Sequence, residues 1–516
     1  MINSFHQLIN YLHDDPDFVW LTIEHESGSK TFTYKELFLR ISDYYNLYES
    51  FELEKNDIIL IILKESLDLF ASFLAGIIYG CMPAYFAYPS PKQSIAQFLK
   101  TVDDLVLFNN ISFVLSYTDV VEIINENNQL DNSIIIDHKN VKQLRSDKAI
   151  VKNEENNSES FLQFSSGTTG SKKGVRITSE ALFNQIDSYR AHLDLDNNSK
   201  IISWLPHYHD MGLISCMLIP VFEKIPIVML SPFEWVKRPS ILLENIMKHK
   251  ATHTWQPNFA LGHLVKSIPI TKVEEYDLSS LKKLTCCSEP VLYETVNTFI
   301  KHFKKSKLDP NIIQNCYAMA ENTFAMTVSK NNRLKHISVD YDLLKKENKI
   351  STNKNNGFIV TSVGIPIKNT KIKIVSEDLS PLEENQVGLI LIKSNCLLKE
   401  YHNNLEATKE SFIDGWFNTG DLGFINNNEL YVNGRKKELI IVGGENIYPQ
   451  DIEQILNAQS FLIKGRNVVF GIKDKKAGTE KIIALAEVDT NRINEIDLLS
   501  IKKIILNRLN ISLSEI

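Results

Sequence analysis

Residues 163–175 read Gln163-Phe164-Ser165-Ser166-Gly167-Thr168-Thr169-Gly170-Ser171-Lys172-Lys173-Gly174-Val175. This stretch holds three glycines, five hydroxyl side chains and two lysines. Short apolar runs on either side predict a strand, a tight loop and a second strand. Glycines let the backbone approach an anion closely, and N–H groups, hydroxyls and lysines can donate to phosphate oxygens. The pattern favours a phosphate-binding loop over an ordinary glycine-rich turn, although it lacks the Gly-Lys-Ser/Thr order of a Walker A loop.

The composition is that of a globular chain with several domains. Its 516 residues exceed what one compact core holds, so we expect two or three domains. An apolar content of 43% excludes general disorder. A formal net charge of −7 argues against a nucleic-acid partner that is bound through bulk charge.

Cysteine usage and the first residues predict a cytoplasmic protein. The six cysteines show no Cys-x-x-Cys spacing, which indicates free thiols in a reducing compartment. Residues 1–14 lack the basic start and apolar core of a signal peptide. Residues 67–87 are largely apolar, but Gly76, Gly80 and Pro83 interrupt them. We therefore expect a buried helix and strand there, with no integral membrane segment.

Alternating strand and helix patterns predict an α/β doubly wound core. Residues 57–63 form a short apolar run typical of a strand buried on both faces of a parallel sheet. Helical periodicity follows over residues 66–78, and an extended pattern resumes at residues 82–86. Further strand patterns in this alternation lie at residues 113–115, 134–136 and 201–204.

Short strand patterns dominate later in the chain and predict a β-rich subdomain. They lie at residues 370–375, 388–392 and 429–432, and the pattern changes to mixed α/β near Gly434. The expected fold class is therefore α/β. A large multi-subdomain N-terminal domain spans residues 1–434, with doubly wound sheets and the β-rich subdomain. A small α+β C-terminal domain, which we expect to be truncated, spans residues 435–516.

A histidine-rich motif follows one predicted strand. It reads Trp204-Leu205-Pro206-His207-Tyr208-His209-Asp210-Met211-Gly212-Leu213. Its histidines could form the wall of a substrate pocket, or they could bond to backbone in a polar loop. A metal centre is disfavoured because no third ligand is near in sequence.

Three further segments carry candidate polar groups. Glu321 follows an aromatic and small residues, and Asp421 lies between glycines. A carboxylate such as that of Asp421 could accept two hydrogen bonds from a ribose, or it could belong to an ordinary turn. Residues 434–453 predict a turn, a strand, a glycine turn and a helix, with Pro449 in the first helical turn.

The order and spacing of these motifs resemble the adenylate-forming superfamily: acyl-CoA synthetases, fatty acyl-AMP ligases, luciferases and peptide-synthetase adenylation domains. The resemblance runs from about Thr31 to the end of the chain and implies that ATP and Mg²⁺ bind. It assigns the ATP phosphates to Ser165, Ser166, Gly167, Thr168, Thr169, Gly170, Lys172 and Lys173. It assigns the adenine to Ser288, Glu289, Pro290, Tyr317 and Ala318, and the ribose to Asp421 and Arg435.

The same resemblance implies the remaining roles. The metal is assigned to Glu321 and Thr168, and catalysis to Thr168, Glu321 and His209. The substrate wall is assigned to His207, His209, Trp255, Asn258 and Ala320, and the hinge of the C-terminal domain to Lys437.

Within the superfamily the sequence is most similar to fatty acyl-AMP ligases. The histidine motif, Arg238-Pro239, and residues 257–260 and 448–453 carry this similarity. The long gap between Glu321 and residue 363 resembles an inserted segment of that group, which disfavours transfer to coenzyme A. Two features depart from the group. Gly443-Gly444 is more similar to coenzyme A ligases, and the chain reaches Ile516 without the glycine-lysine loop whose lysine the superfamily uses for adenylation.

The expected activity is ATP-dependent conversion of a fatty or other apolar carboxylic acid to an acyl-adenylate, with release of pyrophosphate. The acyl group would then pass to the phosphopantetheine thiol of an acyl carrier protein in trans. One alternative is an acyl-CoA ligase, and another is a low-turnover protein that binds nucleotide or acyl-adenylate. The apolar residues near the pocket motifs favour an apolar acid: Trp204, Met211, Trp255, Phe259 and Leu261. An amino acid is disfavoured, because His209 stands where amino-acid-activating relatives have an aspartate.

Overall fold

The computed structural model describes most of the chain. The described ranges are 4–89, 94–127, 134–142, 160–164, 173–330, 334–352, 357–442, 445–474, 479–495 and 497–516. Residues 165–172, to which most of the predicted phosphate loop belongs, lie outside them, as do Gly443 and Gly444.

The strands, in chain order, are β1 (Val19–His25), β2 (Gly28–Thr33), β3 (Ile58–Ile62), β4 (Met82–Tyr85), β5 (Phe113–Ser116), β6 (Ile134–Asp137), β7 (Ser160–Phe164), β8 (Gly174–Thr178), β9 (Ile201–Ser203), β10 (Ile227–Leu230), β11 (His253–Gln256), β12 (Lys283–Cys286), β13 (Ile313–Ala318), β14 (Ala325–Val328), β15 (His336–Val339), β16 (Phe358–Pro366), β17 (Lys371–Val375), β18 (Gly388–Lys393), β19 (Glu400–Tyr401), β20 (Phe412–Ile413), β21 (Trp416–Asn426), β22 (Glu429–Arg435), β23 (Ile440–Val442), β24 (Glu445–Ile447), β25 (Leu462–Asp474) and β26 (Thr479–Val488).

The α-helices are α1 (Phe5–Asp14), α2 (Tyr34–Ser50), α3 (Leu67–Tyr79), α4 (Ile95–Asn109), α5 (Thr118–Glu126), α6 (Ser179–Arg190), α7 (Ile219–Glu223), α8 (Pro232–Lys237), α9 (Ser240–His249), α10 (Asn258–Ser267), α11 (Tyr293–His302), α12 (Tyr341–Glu347), α13 (Leu405–Glu410), α14 (Pro449–Asn457) and α15 (Leu498–Leu509).

A seven-stranded sheet has the order β19-β8-β7-β4-β3-β5-β6. Its five strands β7, β4, β3, β5 and β6 are parallel, and β8 and β19 add antiparallel neighbours. Every residue of β3 is at most 3% exposed, which confirms the strand predicted to be buried on both faces. The chain leaves β7 at the carboxyl edge of this sheet, the edge at which α/β sheets bind ligands, and there enters residues 165–172.

The apolar run at residues 67–87 folds as α3 followed by β4, as predicted. Ser66 caps the first turn of α3, and Gly80 ends the helix in the left-handed region at φ 101°. Phe70, Phe73 and Leu74 of α3 are fully buried. Among the described residues, no helix is both long enough and apolar enough to cross a membrane.

A second sheet of 15 strands joins a parallel half to an antiparallel half. Strands β1, β10, β9, β11, β12 and β13 run parallel in that order. Strands β14, β16, β22, β21, β18 and β17 continue the sheet in antiparallel pairs. The antiparallel half contains the predicted strands near residues 370–375, 388–392 and 429–432, so the β-rich subdomain is confirmed.

The histidine motif leads from β9 into a π-helix over Met211–Leu218. π-Helical turns are rare and are frequent at functional sites. A Cβ added at Gly212 would lie 2.2 Å from the carbonyl oxygen of Pro206. Only glycine therefore allows this turn to lie against the segment that carries the two histidines.

The C-terminal part forms two small sheets, β23–β24 and β25–β26, with α14 and α15. Within the described residues, none of these four strands pairs with the two large sheets. Their apolar side chains share one buried cluster with residues of α12, including Leu344, Ile452 and Ile505. A large N-terminal domain and a small C-terminal domain are thus confirmed, and the boundary at residues 434/435 stays a prediction.

We expect the Gly212→Ala substitution to lower stability by about 1–3 kcal/mol, because the new methyl group overlaps the Pro206 carbonyl. Thermal and urea unfolding would measure the loss. The control is Gly262→Ala in α10, where the nearest atom to an added Cβ is 4.0 Å away. Alanine should be neutral or stabilising at that helical position. Equal unfolding midpoints for wild type and Gly212→Ala would contradict the close contact.

Candidate functional site

The candidate site contains a carboxylate held between the two halves of the large sheet. Asp421 on β21 lies directly opposite Arg435 on β22, with 3.6 Å between the Arg435 Nε and the Asp421 Oδ1. The Tyr317 hydroxyl, from the end of β13, donates a hydrogen bond to the Asp421 Oδ2. Strands β13 and β21 are four places apart in the sheet, about 19 Å if it were flat. The sheet must therefore bend sharply to bring the three predicted nucleotide residues together.

The charge state of this cluster suits a hydrogen-bond acceptor. Asp421 is 8% exposed, and burial raises its pKa, while the Tyr317 hydrogen bond and the Arg435 charge act in the opposite direction. Burial and the neighbouring Asp421 charge hold the pKa of Tyr317 well above its usual range, so its hydroxyl stays a donor. When it is ionised, a carboxylate positioned in this way can accept hydrogen bonds from paired hydroxyls, such as those of a ribose.

A second carboxylate, Glu321, lies in a short 3₁₀ turn (Ala320–Asn322) that follows β13. Its Oε1 accepts a hydrogen bond of 2.9 Å from the Tyr401 hydroxyl. Its backbone oxygen accepts another, of 2.7 Å, from the Leu398 N–H. Lys173, at the end of the predicted phosphate loop, places its Nζ 4.7 Å from the centre of the Tyr401 ring. Tyr401 therefore contacts both the predicted metal carboxylate and the predicted phosphate loop.

Asp210 adds a third carboxylate to the same region. Its Oδ1 accepts a hydrogen bond of 2.7 Å from the Met211 N–H at the start of the π-helix. Burial, together with the Glu321 charge, raises the pKa of Asp210 to about 6 although that hydrogen bond opposes the shift. The Glu321 charge also raises the pKa of Asp421. Glu321 is therefore close enough to repel each of the other two carboxylates.

This arrangement fits a divalent cation that is bound together with a nucleotide. Glu321 is partly exposed, and a cation beside it would relieve the repulsion between the carboxylates. Mg²⁺ usually takes one or two carboxylates, and phosphate oxygens and water complete its shell. Within the described ranges, no group of three or more His, Cys, Asp or Glu could hold a metal without such additional ligands.

The two histidines of the motif lie in different environments. His207 is 4% exposed, and burial lowers its pKa to about 3, so it is neutral. Its ring lies edge-on to Phe70 at 5.3 Å between centroids, and it lines a cavity of about 10 Å³ with room for one water-sized group. His209 is exposed, and its ring centroid lies 4.8 Å from that of Tyr208. Of the two, only His209 is accessible from solvent.

The other predicted substrate and adenine residues differ in their exposure to solvent. Trp255 is fully buried, and its Nε1 donates to the Tyr189 hydroxyl at 2.8 Å. Asn258 accepts from the Leu292 N–H at 3.1 Å. Glu289 Oε1 accepts from the Phe259 N–H at 2.5 Å, beside the exposed Ser288 and Pro290.

Ser288 links the adenine segment to the histidine motif. Its Oγ lies 3.8 Å from the Met211 Sδ, and its φ of 69° places it in the left-handed region. Ala318 and Ala320 flank the strand end that carries Tyr317, and both are partly buried. Strand β12, which leads into residues 288–290, pairs with β13, which carries Tyr317, while Trp255 lies in the core.

The structure adds two residues that the sequence reasoning missed. Tyr401 follows no local motif that marks a binding residue, and only its contact with Glu321 reveals it. Asp210 stood within the histidine motif without an assigned role, although its place before a glycine-containing turn was a usable signal. The predicted hinge residue Lys437 is exposed in a 3₁₀ turn that directly follows Arg435.

Solved structures of similar fold cover nearly the whole chain. A structure from work on the fatty acyl-adenylate ligases of E. coli and L. pneumophila superposes with a TM-score of 0.89 at 23% identity. It covers 99% of this chain and 92% of its own. The L. pneumophila fatty acyl-adenylate ligase in complex with acyl adenylate and pyrophosphate gives a TM-score of 0.81 at 27% identity. The match covers 99% of this chain and 92% of that ligase.

Sequence relatives carry related descriptions. A medium-chain-fatty-acid–[acyl-carrier-protein] ligase of Moorena producens is 27% identical over 478 residues, which are 87% of this chain and 78% of the relative. A probable long-chain-fatty-acid–AMP ligase of Mycobacterium tuberculosis is 27% identical over 379 residues, which are 68% of this chain and 64% of the relative. The profile of the family described as AMP-binding enzyme matches residues 10–402. Since that match covers well over half of the sequence, the chain belongs to the AMP-binding enzyme family.

Proposed function

We propose that this protein activates a fatty or other apolar carboxylic acid with ATP, yielding an acyl-adenylate and pyrophosphate. The observation that carries the proposal is the cluster of Tyr317, Asp421 and Arg435, with Glu321 beside it. It offers a ribose acceptor next to a carboxylate suited to Mg²⁺, in a chain whose relatives are named as fatty acid ligases.

In the proposed reaction, an oxygen of the substrate carboxylate attacks the α-phosphorus of ATP, and the bond to the β-phosphate oxygen breaks. Pyrophosphate leaves with the bonding electron pair, so no proton has to be moved. Asp421 and Arg435 hold the ribose, and Glu321 supports the cation, which spreads the negative charge on the phosphates when it is bound. The protein contributes mainly alignment and charge stabilisation.

The exposed residues near the predicted substrate wall support an apolar acid as the substrate. His209 is exposed beside Tyr208, and an imidazole does not pair with the ammonium group of an amino acid. Phe259 is 49% exposed and lies edge-on to Trp204 at 6.1 Å between centroids, which provides an apolar surface next to the segment at residues 288–290. An apolar acid without an amino group suits this surface.

The acceptor that we propose is the thiol of a carrier protein. Helix α12 lies in the long gap between Glu321 and residue 363, which resembles the inserted segment of acyl-AMP ligases, and it contacts the C-terminal part. The side chain of Lys345 on α12 is 1% exposed, and its Nζ lies 3.0 Å from the Glu445 carboxylate. It also donates to the Leu509 and Asn510 carbonyl oxygens at the end of α15. We propose that transfer to coenzyme A requires a rotation of the C-terminal domain at Lys437. The bonds of Lys345 oppose this rotation.

The assignment can be tested by ATP–pyrophosphate exchange driven by straight-chain fatty acids of increasing length, with amino acids as the comparison. We expect exchange with at least one fatty acid, and we expect a metal chelator to abolish it. Product analysis with coenzyme A or with a carrier protein bearing phosphopantetheine would identify the acceptor. Exchange driven by amino acids and by no fatty acid would overturn the assignment.

Asp421→Ala should weaken ATP binding by about 1–3 kcal/mol, the usual cost of losing hydrogen bonds to a charged group. Calorimetric titration of the wild type and the variant would measure the change. The control is Asp187→Ala, which removes an aspartate that pairs with Lys368 at 2.8 Å on the surface. Unchanged ATP affinity in Asp421→Ala, with an unchanged melting temperature, would remove Asp421 from the site.

Lys345→Met should raise thioester formation with coenzyme A relative to the carrier protein. Losing the ammonium group breaks the Glu445 ion pair and both carbonyl contacts. If these contacts stabilise the unrotated arrangement by about 1.4 kcal/mol, their loss would change the ratio of coenzyme A product to carrier-protein product tenfold. Lys346→Met is the matched control, because Lys346 is the next residue along the helix and its side chain is exposed. Identical product ratios for the two variants would contradict a restraining role for Lys345.

A further inference from the structure

A short segment, residues 396–402, lies between Glu321 on one side and Lys173 with the start of β8 on the other. On one side it adds β19 to β8, the strand that begins directly after the loop. The Lys399 N–H donates to the Arg176 carbonyl oxygen at 2.9 Å, and the His402 N–H donates to the Gly174 oxygen at 2.7 Å. The segment therefore follows any displacement of the strand that leaves the loop.

The other side of the same segment holds the turn that carries Glu321. The Leu398 N–H donates to the Glu321 carbonyl oxygen at 2.7 Å. The Thr323 hydroxyl donates to the Cys396 carbonyl oxygen, also at 2.7 Å. The turn is thus attached to the segment at two points, the Glu321 carbonyl oxygen and the Thr323 hydroxyl.

Tyr401 is the residue of this segment whose side chain contacts both partners. It is 7% exposed, and its hydroxyl donates to the Glu321 Oε1 at 2.9 Å. The face of its ring lies 4.7 Å from the Lys173 Nζ, within the range of a cation–π contact. Burial and the Glu321 charge raise the pKa of Tyr401, so the hydroxyl remains a donor at any physiological pH.

We propose that Tyr401 is a positioning residue that couples Lys173 to the carboxylate of Glu321, the predicted metal ligand. Its hydroxyl donates to Oε1, which would leave Oε2 available to a cation when one is bound, and its ring packs against Lys173. The inference rests on the proposed function, because it takes Glu321 to bind the metal that accompanies ATP.

The decisive variant is Tyr401→Phe, which removes the hydroxyl and keeps the ring. The measurement is calorimetric binding of ATP at increasing Mg²⁺, without an acid substrate, supported by electron paramagnetic resonance of Mn²⁺ in the presence of ATP. We expect the metal concentration at half-saturation to rise by about 10–100-fold, the usual effect of losing a partner that orients a metal ligand. ATP binding without metal should stay within about twofold of wild type, since the ring and Lys173 remain in contact.

Tyr44→Phe is the matched control. The Tyr44 hydroxyl also donates to a carboxylate, the Asp68 Oδ1, at 2.9 Å, between α2 and α3. This variant should lose a similar amount of stability without changing the metal dependence. A combined variant, Glu321→Gln with Tyr401→Phe, should bind the metal as weakly as Glu321→Gln alone, because the two residues act through one interaction.

The outcomes separate the two proposals. Wild-type protein that shows no metal-dependent ATP binding would overturn the proposed function and this inference together. Wild-type protein that shows it, with the same half-saturation in Tyr401→Phe, would overturn the inference alone. Equal shifts in Tyr401→Phe and Tyr44→Phe would also overturn it, since a general loss of stability would then explain the effect.

Discussion

The hydrogen bond from Tyr317 to Asp421 joins two parts of the protein that would otherwise lie far apart. One partner ends the parallel half of the large sheet, and the other lies within the antiparallel half. A buried carboxylate is costly unless it is paired, and here Tyr317 and Arg435 supply the partners. Since both partners are held by strands, the curvature of the sheet and the position of the carboxylate depend on each other.

Glu321 lies near two other carboxylates, those of Asp210 and Asp421. Burial, together with the Glu321 charge, raises the pKa of both, and Arg435, which lies opposite Asp421, is only partly buried at 56% side-chain exposure. Repulsion between these carboxylates opposes folding slightly and favours a ligand that brings a cation. A nucleotide carrying a divalent metal satisfies that requirement, which is why the electrostatics and the family membership lead to the same proposal.

Local features were predictable from the sequence because they depend on neighbours in the chain. Periodicity and turn chemistry account for the apolar residues of β3, the caps of α3 and the antiparallel strands β17, β18 and β22. The clustering of Tyr317, Asp421 and Arg435 was predictable only through the family resemblance. The link between Tyr401 and Glu321 was not predictable from the sequence, because it joins residues 80 positions apart and depends on the packing of three strands. His207 and Trp255 show the same limit, since a polar or aromatic residue near a motif can equally be buried in the core.

The pairing of β8 with β19 has a consequence for the order of events during synthesis. Arg176 and Glu400, which form an ion pair across these strands at 3.1 Å, are 224 residues apart in the chain. A ribosome-bound chain that has just completed β3 to β8 therefore lacks β19, the strand that pairs with β8, and it also lacks Asp421 and Arg435. Contacts of such long range form late, because the entropy of closing the intervening loop must be overcome first. The nascent protein would thus complete this sheet, and bring Asp421 opposite Arg435, only after most of its length has emerged.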